Sequence, residues 1–214
     1  MPSPNPSRKR EGNVSIALID YGAGNLRSVH NALVAAGAEH VAVTADPDVV
    51  AHADRIVLPG VGAFAACMNG LSAISGLIEA MERRVRREGA PFLGICVGMQ
   101  LLADAGEEHG RHAGLGWIGG TVRAFDPAPG LRIPHMGWND VIPGFAHPVI
   151  AAGEAYYLHG YHFADAVDVA ATSNHGTPFV AAVARDTIIG VQYHPEKSQA
   201  YGLATLERFL AWRP

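Results

Sequence analysis

Short apolar runs and longer segments of helical periodicity alternate along the first half of the chain. The apolar runs are rich in β-branched residues and end at glycine or polar positions, as buried strands do. They are VSIALID (14–20), HVAVT (40–44), RIVLPG (55–60) and PFLGI (91–95). Because strands that alternate with helices form βαβ units, this order predicts a parallel sheet.

Three segments have the apolar spacing of helices. The first, residues 26–37, places these apolar side chains on one face: Leu26, Val29, Leu33 and Val34. Gly37 provides the stop that helices commonly have at this position. Residues 71–89 predict one long helix between the third and fourth strands. Residues 198–212 predict a closing amphipathic helix with Ser198 as its N-cap.

From about residue 110 onward the chain is rich in glycine, proline and aromatic residues. Its short alternating runs are TVRAF (121–125), AYYLHGYHF (155–163) and FVAAVARDTIIGVQYHP (179–195). Arg185 and Asp186 divide the last run into two strand-like pieces, which predicts a hairpin. The predicted fold class is therefore α/β. One open, mostly parallel sheet is flanked by helices and extended by antiparallel strands, in a single domain over residues 14–214.

Composition excludes several classes of function. The chain has 214 residues, of which 49% are hydrophobic, and this is enough for one sizeable core. A net charge of −4 gives no basic footprint for nucleic acid or an anionic membrane, and no apolar run reaches bilayer length. Residues 1–13 are basic and rich in proline and serine, which predicts a disordered leader rather than a secretory signal. Only Cys67 and Cys96 are cysteines, so we expect a reducing cytoplasm and no disulfide framework.

The stretch GICVGMQ, residues 94–100, places Cys96 between two glycines where a strand changes to a helix. This is the pattern of a nucleophile elbow, in which a sharp turn lifts the side chain above the end of the sheet. The following helix would favour a thiolate, and the N–H of Val97 would be free to bind an oxyanion. A buried structural cysteine fits the five-residue pattern equally well, so the pattern alone does not decide.

A nucleophilic cysteine needs a base, and QYHPEKS (192–198) offers one. Pro195 favours extended backbone at His194, so Glu196 would lie on the same side and could orient the imidazole ring. The alternative is an ordinary turn at a strand end with a solvated glutamate. A glycine-rich loop, LPGVGAF (58–64), could turn a second N–H toward an oxyanion, or it could be a simple turn.

Taken together, these motifs resemble a known family. GICVGMQ with a distant HPE is similar to the triad-type, class I glutamine amidotransferases, which have a flavodoxin-like fold. Further segments resemble the glutaminase subunits of imidazole glycerol phosphate synthases within that family. These segments are DYGAGNLRSV (20–29), LPGVGAF, PHMGWN (134–139), YYLHGYHF (156–163) and YHPEKSQ.

The resemblance implies a role for individual residues. Cys96 would be the nucleophile, His194 the general base and acid, and Glu196 the residue that orients the ring. The implied oxyanion donors are the N–H groups of Val97 and Val61. The residues implied to hold glutamine are Gly62, Gln100, Gly160 and Tyr161. The residues implied to face a partner subunit are Trp138, Asn139 and Lys197. The chain departs from the family at Gly160 and His162, where serine and tyrosine are usual.

The resemblance also implies a partner and a divided reaction. Glutamine would be hydrolysed to glutamate and ammonia. The ammonia would pass to a (β/α)8-barrel synthase (cyclase) subunit, which would make imidazole glycerol phosphate and AICAR for histidine biosynthesis. The chain shows no phosphate loop of its own, which agrees with such a division.

Three alternatives stay open: the glutaminase of another amidotransferase pathway, a related cysteine-elbow hydrolase, and a non-catalytic binding subunit.

Two further patterns predict neither cofactor nor metal. GAGNLR (22–27) is similar to a dinucleotide fingerprint, but an arginine stands where its third glycine belongs. The pairs His109/His112 and His159/His162 have the spacing of metal ligands without a cysteine or carboxylate cluster beside them. We therefore expect no cofactor and no metal site.

Overall fold

The computed structural model describes residues 14–214, so the predicted leader at 1–13 lies outside the described residues. Five strands form a parallel half-sheet in the order β2-β1-β3-β4-β13. They are β1 (Ser15–Ile19), β2 (His40–Thr44), β3 (Arg55–Gly60), β4 (Phe92–Cys96) and β13 (Ile188–Val191). The order is that of flavodoxin-like sheets. Every position of β3, β4 and β13 is buried.

Helices accompany this half-sheet. They are α1 (Leu26–Ala35), α2 (Pro47–His52), α3 (Phe64–Ser72), α4 (Leu77–Glu82), α5 (Val97–Gln100) and α6 (Gln199–Ala211). A π-helical turn at Arg83–Arg87 prolongs α4, and a 3₁₀ turn at Pro195–Lys197 precedes α6. Apolar side chains of α1, α3 and α4 are buried in the one hydrophobic core that also includes the central strands.

Three helix predictions were wrong in detail. Residues 71–89 do not form one helix, because Gly76 takes a left-handed conformation (φ 79°) that separates α3 from α4. Val34 is 49% exposed, since the buried face of α1 carries Val29 and Leu33 instead. Ser198 stands at the N-cap position of α6, but its hydroxyl donates to the carbonyl oxygen of His194 (2.7 Å) rather than capping the helix.

Antiparallel strands extend the same sheet to nine strands, in the order β13-β12-β11-β8-β9. They are β8 (His135–Pro143), β9 (Gly153–His159), β11 (Val169–His175) and β12 (Thr177–Arg185). The predicted hairpin joins β12 to β13 through Asp186, whose φ is 50°. The α/β class and the mixed sheet are thus confirmed.

A second sheet of four short strands runs β10-β7-β5-β6. It contains β5 (Ala105–Gly106), β6 (His112–Ala113), β7 (Thr121–Ala124) and β10 (Tyr161–Phe163). The alternating run at 155–163 is divided at Gly160, where the chain leaves the large sheet after β9 and enters the small one at β10. All of PHMGWN except Pro134 belongs to β8, so Trp138 stands on a strand.

Within residues 14–214, no single helix is long and apolar enough to cross a bilayer. One bent pair, Phe64–Ser72 with Leu77–Arg87, meets the length and composition criteria jointly, at an angle of 93°.

The turn from β4 into α5 depends on the absence of a side chain at Gly98. A Cβ at this position would overlap the carbonyl oxygen of Leu58 on β3. We therefore expect Gly98→Ala to lower the free energy of unfolding by about 1–3 kcal/mol, measured by urea denaturation. Gly144→Ala is the matched control, because the nearest atom to its Cβ would be 3.8 Å away. Equal unfolding midpoints for the two variants would contradict the packing argument.

Candidate active site

Cys96 lies at the carboxyl end of β4, at the rim of the parallel half-sheet. On one side it pairs in register with Gly60, the last residue of β3. On the other side Val191, the last residue of β13, pairs with Ile95, the residue before Cys96. The backbone of Cys96 has φ 55° and ψ −112°, a conformation that residues other than glycine rarely adopt. This strained turn is the geometry of a nucleophile elbow, and α5 begins at the next residue.

His194 and Glu196 follow β13 and arrive at the same rim. The Nδ1 atom of His194 lies 2.9 Å from Oε1 of Glu196, and the two side chains are only 3% and 1% exposed. The His194 N–H donates to the carbonyl oxygen of Tyr156 on β9 (2.9 Å), and the Ser198 hydroxyl bonds the carbonyl of His194. The glutamate therefore does not lie in solvent; it orients the ring of His194, while the other two hydrogen bonds hold the His194 main chain.

The electrostatics of His194 favour its protonated form. Burial alone would lower its pKa, but hydrogen bonds to Cys96 and Glu196, together with their negative charges, raise the pKa of His194 to about 10. Because Glu196 occupies Nδ1, the nitrogen left to meet the sulfur is Nε2. The arrangement thus suits a thiolate–imidazolium pair, the state in which a cysteine is nucleophilic.

Cys96 and His194 line a cleft of about 310 Å³. The cleft includes all four residues predicted to hold substrate: Gly62, Gln100, Gly160 and Tyr161. It also includes residues that the sequence analysis missed, namely Glu108, Pro134, Leu158 and His159. Pro134, Leu158 and His159 belong to segments that resemble the family, but none of the three was predicted to line a substrate cleft. Glu108 lies in no motif and reaches the cleft from the loop after β5.

Glu108 is held in place by the start of α3. Its Oε2 accepts a hydrogen bond from the backbone N–H of Phe64 (2.7 Å). Lys197, predicted to face a partner, also lines the cleft. The cleft therefore carries one acidic and one basic side chain beyond the triad.

Both residues predicted to donate to the oxyanion line the cleft, each directly after a residue of the Gly60–Cys96 register pair. Val97 is the first residue of α5, so its N–H has no acceptor within the helix. Val61 is 42% exposed and precedes Gly62, which has φ 93°. Cys67, interpreted as a buried small hydrophobe, is buried but also donates from Sγ to the carbonyl oxygen of Val61 (3.3 Å). The thiol thus anchors the peptide that follows the predicted donor.

The residues predicted to face a partner differ in orientation. Trp138 on β8 is 46% exposed, and Met136 and Ile142, on the same face of that strand, are 64% and 53% exposed. Asn139 lies on the opposite face, where its Nδ2 contacts Nε2 of His135 (3.2 Å) and donates to the carbonyl of Asn174 (2.8 Å). Its side chain is therefore engaged within the chain.

An aromatic cluster lies behind the cleft wall. Its members are His135, His159, His162, His175, Phe125 and Phe179. Burial lowers the pKa of His135 to about 4 and that of His159 to about 3, so both rings are neutral at pH 7. Among residues 14–214, no group of three or more histidine, cysteine or acidic side chains is arranged to hold a metal ion. His135 and His159 thus pack the wall in their uncharged form.

Neutral buried histidines make stability depend on pH. In the unfolded chain His135 and His159 become protonated below about pH 6.5. In the folded chain they stay neutral down to about pH 4 and pH 3, respectively. We expect the free energy of unfolding to fall as the pH is lowered through this window, by about 3 kcal/mol per ring. Urea denaturation between pH 7.5 and pH 4.5 measures this slope. His135→Gln should flatten it, and a slope unchanged in that variant would contradict the assignment.

Comparison with known proteins places these features in one family. The model of the family "Glutamine amidotransferase class-I" matches residues 17–211. A Zymomonas mobilis protein named imidazole glycerol phosphate synthase subunit HisH is 57% identical over 212 residues, covering 96% of this chain and all of that protein. The protein of the same name from Rhodospirillum rubrum is 51% identical, covering 93% and 99%.

Solved structures agree at the level of the fold. One described as a glutamine amidotransferase superimposes with a TM-score of 0.72 at 17% identity, over 91% of this chain and 97% of that one. The structure of PurLQS from Thermotoga maritima gives a TM-score of 0.68 at 20% identity, over 94% and 99%.

Proposed function

Because the chain belongs to the class-I glutamine amidotransferase family, we propose that it is the glutaminase subunit of an imidazole glycerol phosphate synthase. The main observation behind this proposal is that Cys96, His194 and Glu196 come together in one triad. Cys96 and His194 line the same cleft as the residues predicted to hold glutamine. Relatives that bear this name match the chain over almost its whole length and theirs.

The first half of the reaction makes a thioester. The thiolate of Cys96 attacks the side-chain carbonyl carbon of glutamine, and the N–H groups of Val97 and Val61 stabilise the oxygen as it becomes negative. The Nε2–H of His194 then protonates the departing nitrogen, the C–N bond breaks, and ammonia leaves. Glu196 keeps the proton on Nδ1 and stabilises the imidazolium before this transfer.

The second half releases glutamate. Neutral His194 accepts a proton from a water molecule, and the resulting hydroxide attacks the thioester carbonyl in the same oxyanion site. The C–S bond then breaks, glutamate leaves, and the thiolate–imidazolium pair is restored. The same histidine acts first as acid and then as base, and no metal or cofactor takes part.

The cleft offers groups of matching charge for the amino-acid end of glutamine. Glu108 and Lys197 are suited to the α-ammonium and α-carboxylate, respectively, because opposite charges attract across a partly dry site. Both N–H groups of Gln100 are bound within the chain, so only its Oε1 is free to accept from substrate. Main-chain groups at Gly62, Gly160 and Tyr161 complete the set. A substrate held by main-chain atoms tolerates glycine at position 160, where the family has serine.

The ammonia must reach its acceptor without mixing with water, which would convert it to unreactive ammonium. We therefore assign the partner as a (β/α)8-barrel synthase (cyclase) subunit that covers the cleft, with both subunits in the cytoplasm. The exposed apolar face of β8, formed by Met136, Trp138 and Ile142, suits an interface anchored by an aromatic residue. Asn139 would support this strand from behind, and Lys197 would lie at the rim.

Partner binding should control the activity. The glycines on either side of Val61, Gly60 and Gly62, permit the peptide that carries the Val61 N–H to reorient, so the oxyanion site would be completed only when the partner and its ligand bind. We expect the isolated chain to release ammonia from glutamine at least about 100-fold more slowly than the liganded complex, as loss of one oxyanion donor would cause. An assay of glutamate formation with and without the synthase subunit measures this. Full activity of the isolated chain would contradict it.

A glutaminase for another pathway is the principal rival. The same assay separates the two, because only the cognate synthase subunit and its aminoimidazole carboxamide ligand should stimulate turnover. A non-catalytic role is disfavoured by the complete triad.

A further inference from the structure

Gln192 is a completely buried polar side chain beside the nucleophile. It follows β13 directly, two residues before His194, and it is 0% exposed. Its Nε2 lies 3.7 Å from Sγ of Cys96, and its Oε1 accepts a hydrogen bond from Nε2 of Gln100 (3.0 Å). Burying an amide is costly unless its donors and acceptors are satisfied, so these contacts define what the side chain does.

The orientation of both amide groups follows from one carbonyl. The carbonyl oxygen of Tyr161 can only accept, so Gln100 must direct its NH₂ group toward it (2.9 Å). The second N–H of that group then meets Oε1 of Gln192. Gln192 is left with its own NH₂ group facing the sulfur of Cys96. The chain Tyr161–Gln100–Gln192–Cys96 is thus directional, and it ends in an N–H donor on sulfur.

A donor at this position distinguishes the two protonation states of Cys96. A neutral thiol can donate to the carbonyl of Leu158, whose oxygen lies 3.9 Å from Sγ. A thiolate has nothing to donate and instead accepts from Gln192 and from His194. A hydrogen bond to the charged form of a group stabilises that form.

We propose that Gln192 is a positioning residue that stabilises the Cys96 thiolate by an N–H···S hydrogen bond and connects it, through Gln100, to the Tyr161 main chain of the substrate cleft. The proposal rests on the proposed function, since it assigns a task to a residue beside the proposed nucleophile. It adds a route by which contact of substrate with the Tyr161 segment reaches the sulfur. His194 and Glu196 alone do not provide that route.

Other titratable groups also lie around the sulfur or line the same site. They are His194 and Glu196 after β13, Tyr21 and Cys67 on the α3 side, and Glu108 and Lys197 at the cleft. Substitution of Gln192 leaves all of them in place. A change in the titration of Cys96 in such a variant therefore reports the lost amide.

The test is the pH dependence of Cys96 alkylation by iodoacetamide in the full chain, with peptide mapping to separate Cys96 from Cys67. Gln192→Met keeps the length of the side chain and removes the donor. We expect the midpoint of the reactive form to rise by about one pH unit, which is a tenfold loss of thiolate below the midpoint. Gln192→Asn keeps a buried amide one methylene too short to reach the sulfur, and it should raise the midpoint likewise.

Val191→Ala is the control, because it removes buried volume from the neighbouring position without touching the amide chain. It should leave the midpoint unchanged. If the midpoint is unchanged in both Gln192 variants, or if Val191→Ala shifts it equally, the proposal is overturned. The asparagine variant decides the matter if the methionine variant does not fold. An unreactive Cys96 in the unmodified protein would instead refute the proposed function.

Discussion

Replacing Cys96 by serine lowers glutamine hydrolysis at least about 1,000-fold, because a hydroxyl is a far weaker nucleophile than a thiolate and His194 cannot form an ion pair with it. Glutamate formation by the complex with the synthase subunit measures the loss. The variant should fold normally, since the change replaces one small atom at a position that is 3% exposed.

The control for this variant is the synthase activity with added ammonia, because ammonia is produced in one subunit and used in the other. If only ammonia production is lost, the complex that carries Cys96→Ser should still form product when ammonium salt is added at alkaline pH. Residual glutamine-dependent turnover within about tenfold of the unmodified enzyme would rule out Cys96 as the nucleophile, since removing a nucleophile costs far more than that.

Glu196→Gln reduces kcat/KM by about 100- to 10,000-fold and shifts the alkaline limb of the pH profile to lower pH. The sign follows from His194. Hydrogen bonding and negative charge from Cys96 and Glu196 raise the pKa of His194 to about 10, so the imidazolium persists into alkaline solution. Without the carboxylate this pKa falls, and the proton needed by the leaving ammonia is lost at a lower pH.

Rates between pH 6 and pH 10.5 measure the shift. Glu207→Gln, the same chemical change at an exposed position of α6, is the matched control and should leave both the rate and the profile unchanged. An unshifted alkaline limb in Glu196→Gln would mean that this carboxylate does not govern His194.

Most of the parallel half of the fold could be predicted because four of its five strands, β1, β3, β4 and β13, are buried on both faces. Such strands appear in the sequence as continuous apolar runs, and RIVLPG (55–60) matches β3 residue for residue. The elbow at Cys96 could also be recognised from local sequence. Its glycines, Gly94 and Gly98, are required because a Cβ at either position would overlap neighbouring backbone atoms. Local sequence therefore contained the information for these parts.

The antiparallel half was harder to predict because it depends on contacts between distant segments. β8 has glycine, tryptophan and asparagine in its centre, and its pairing with β9 and β11 decides its conformation more than its own propensity does. Gly160 ends one strand and begins another in a different sheet, a change that a continuous alternating run conceals.

The same distinction applies to the site. His194 and Glu196 are two residues apart, so their geometry could be derived from extended backbone. Gln192, Glu108 and the cluster around His135 acquire their roles from partners 24 to 96 positions away. A Gln in a strand-like run or a Glu in a loop carries no chemical signal until the fold supplies its neighbours.

The central claim is that Cys96, activated by His194, attacks the side-chain carbonyl of glutamine. Its most direct test is to incubate the complex with a glutamine analogue in which a diazoketone replaces the carboxamide, and to map the adduct by mass spectrometry. We predict a single adduct on Cys96, which forms more slowly when glutamine is present and does not form in His194→Ala. An adduct on another residue, or none in a complex that turns over glutamine, would contradict the account.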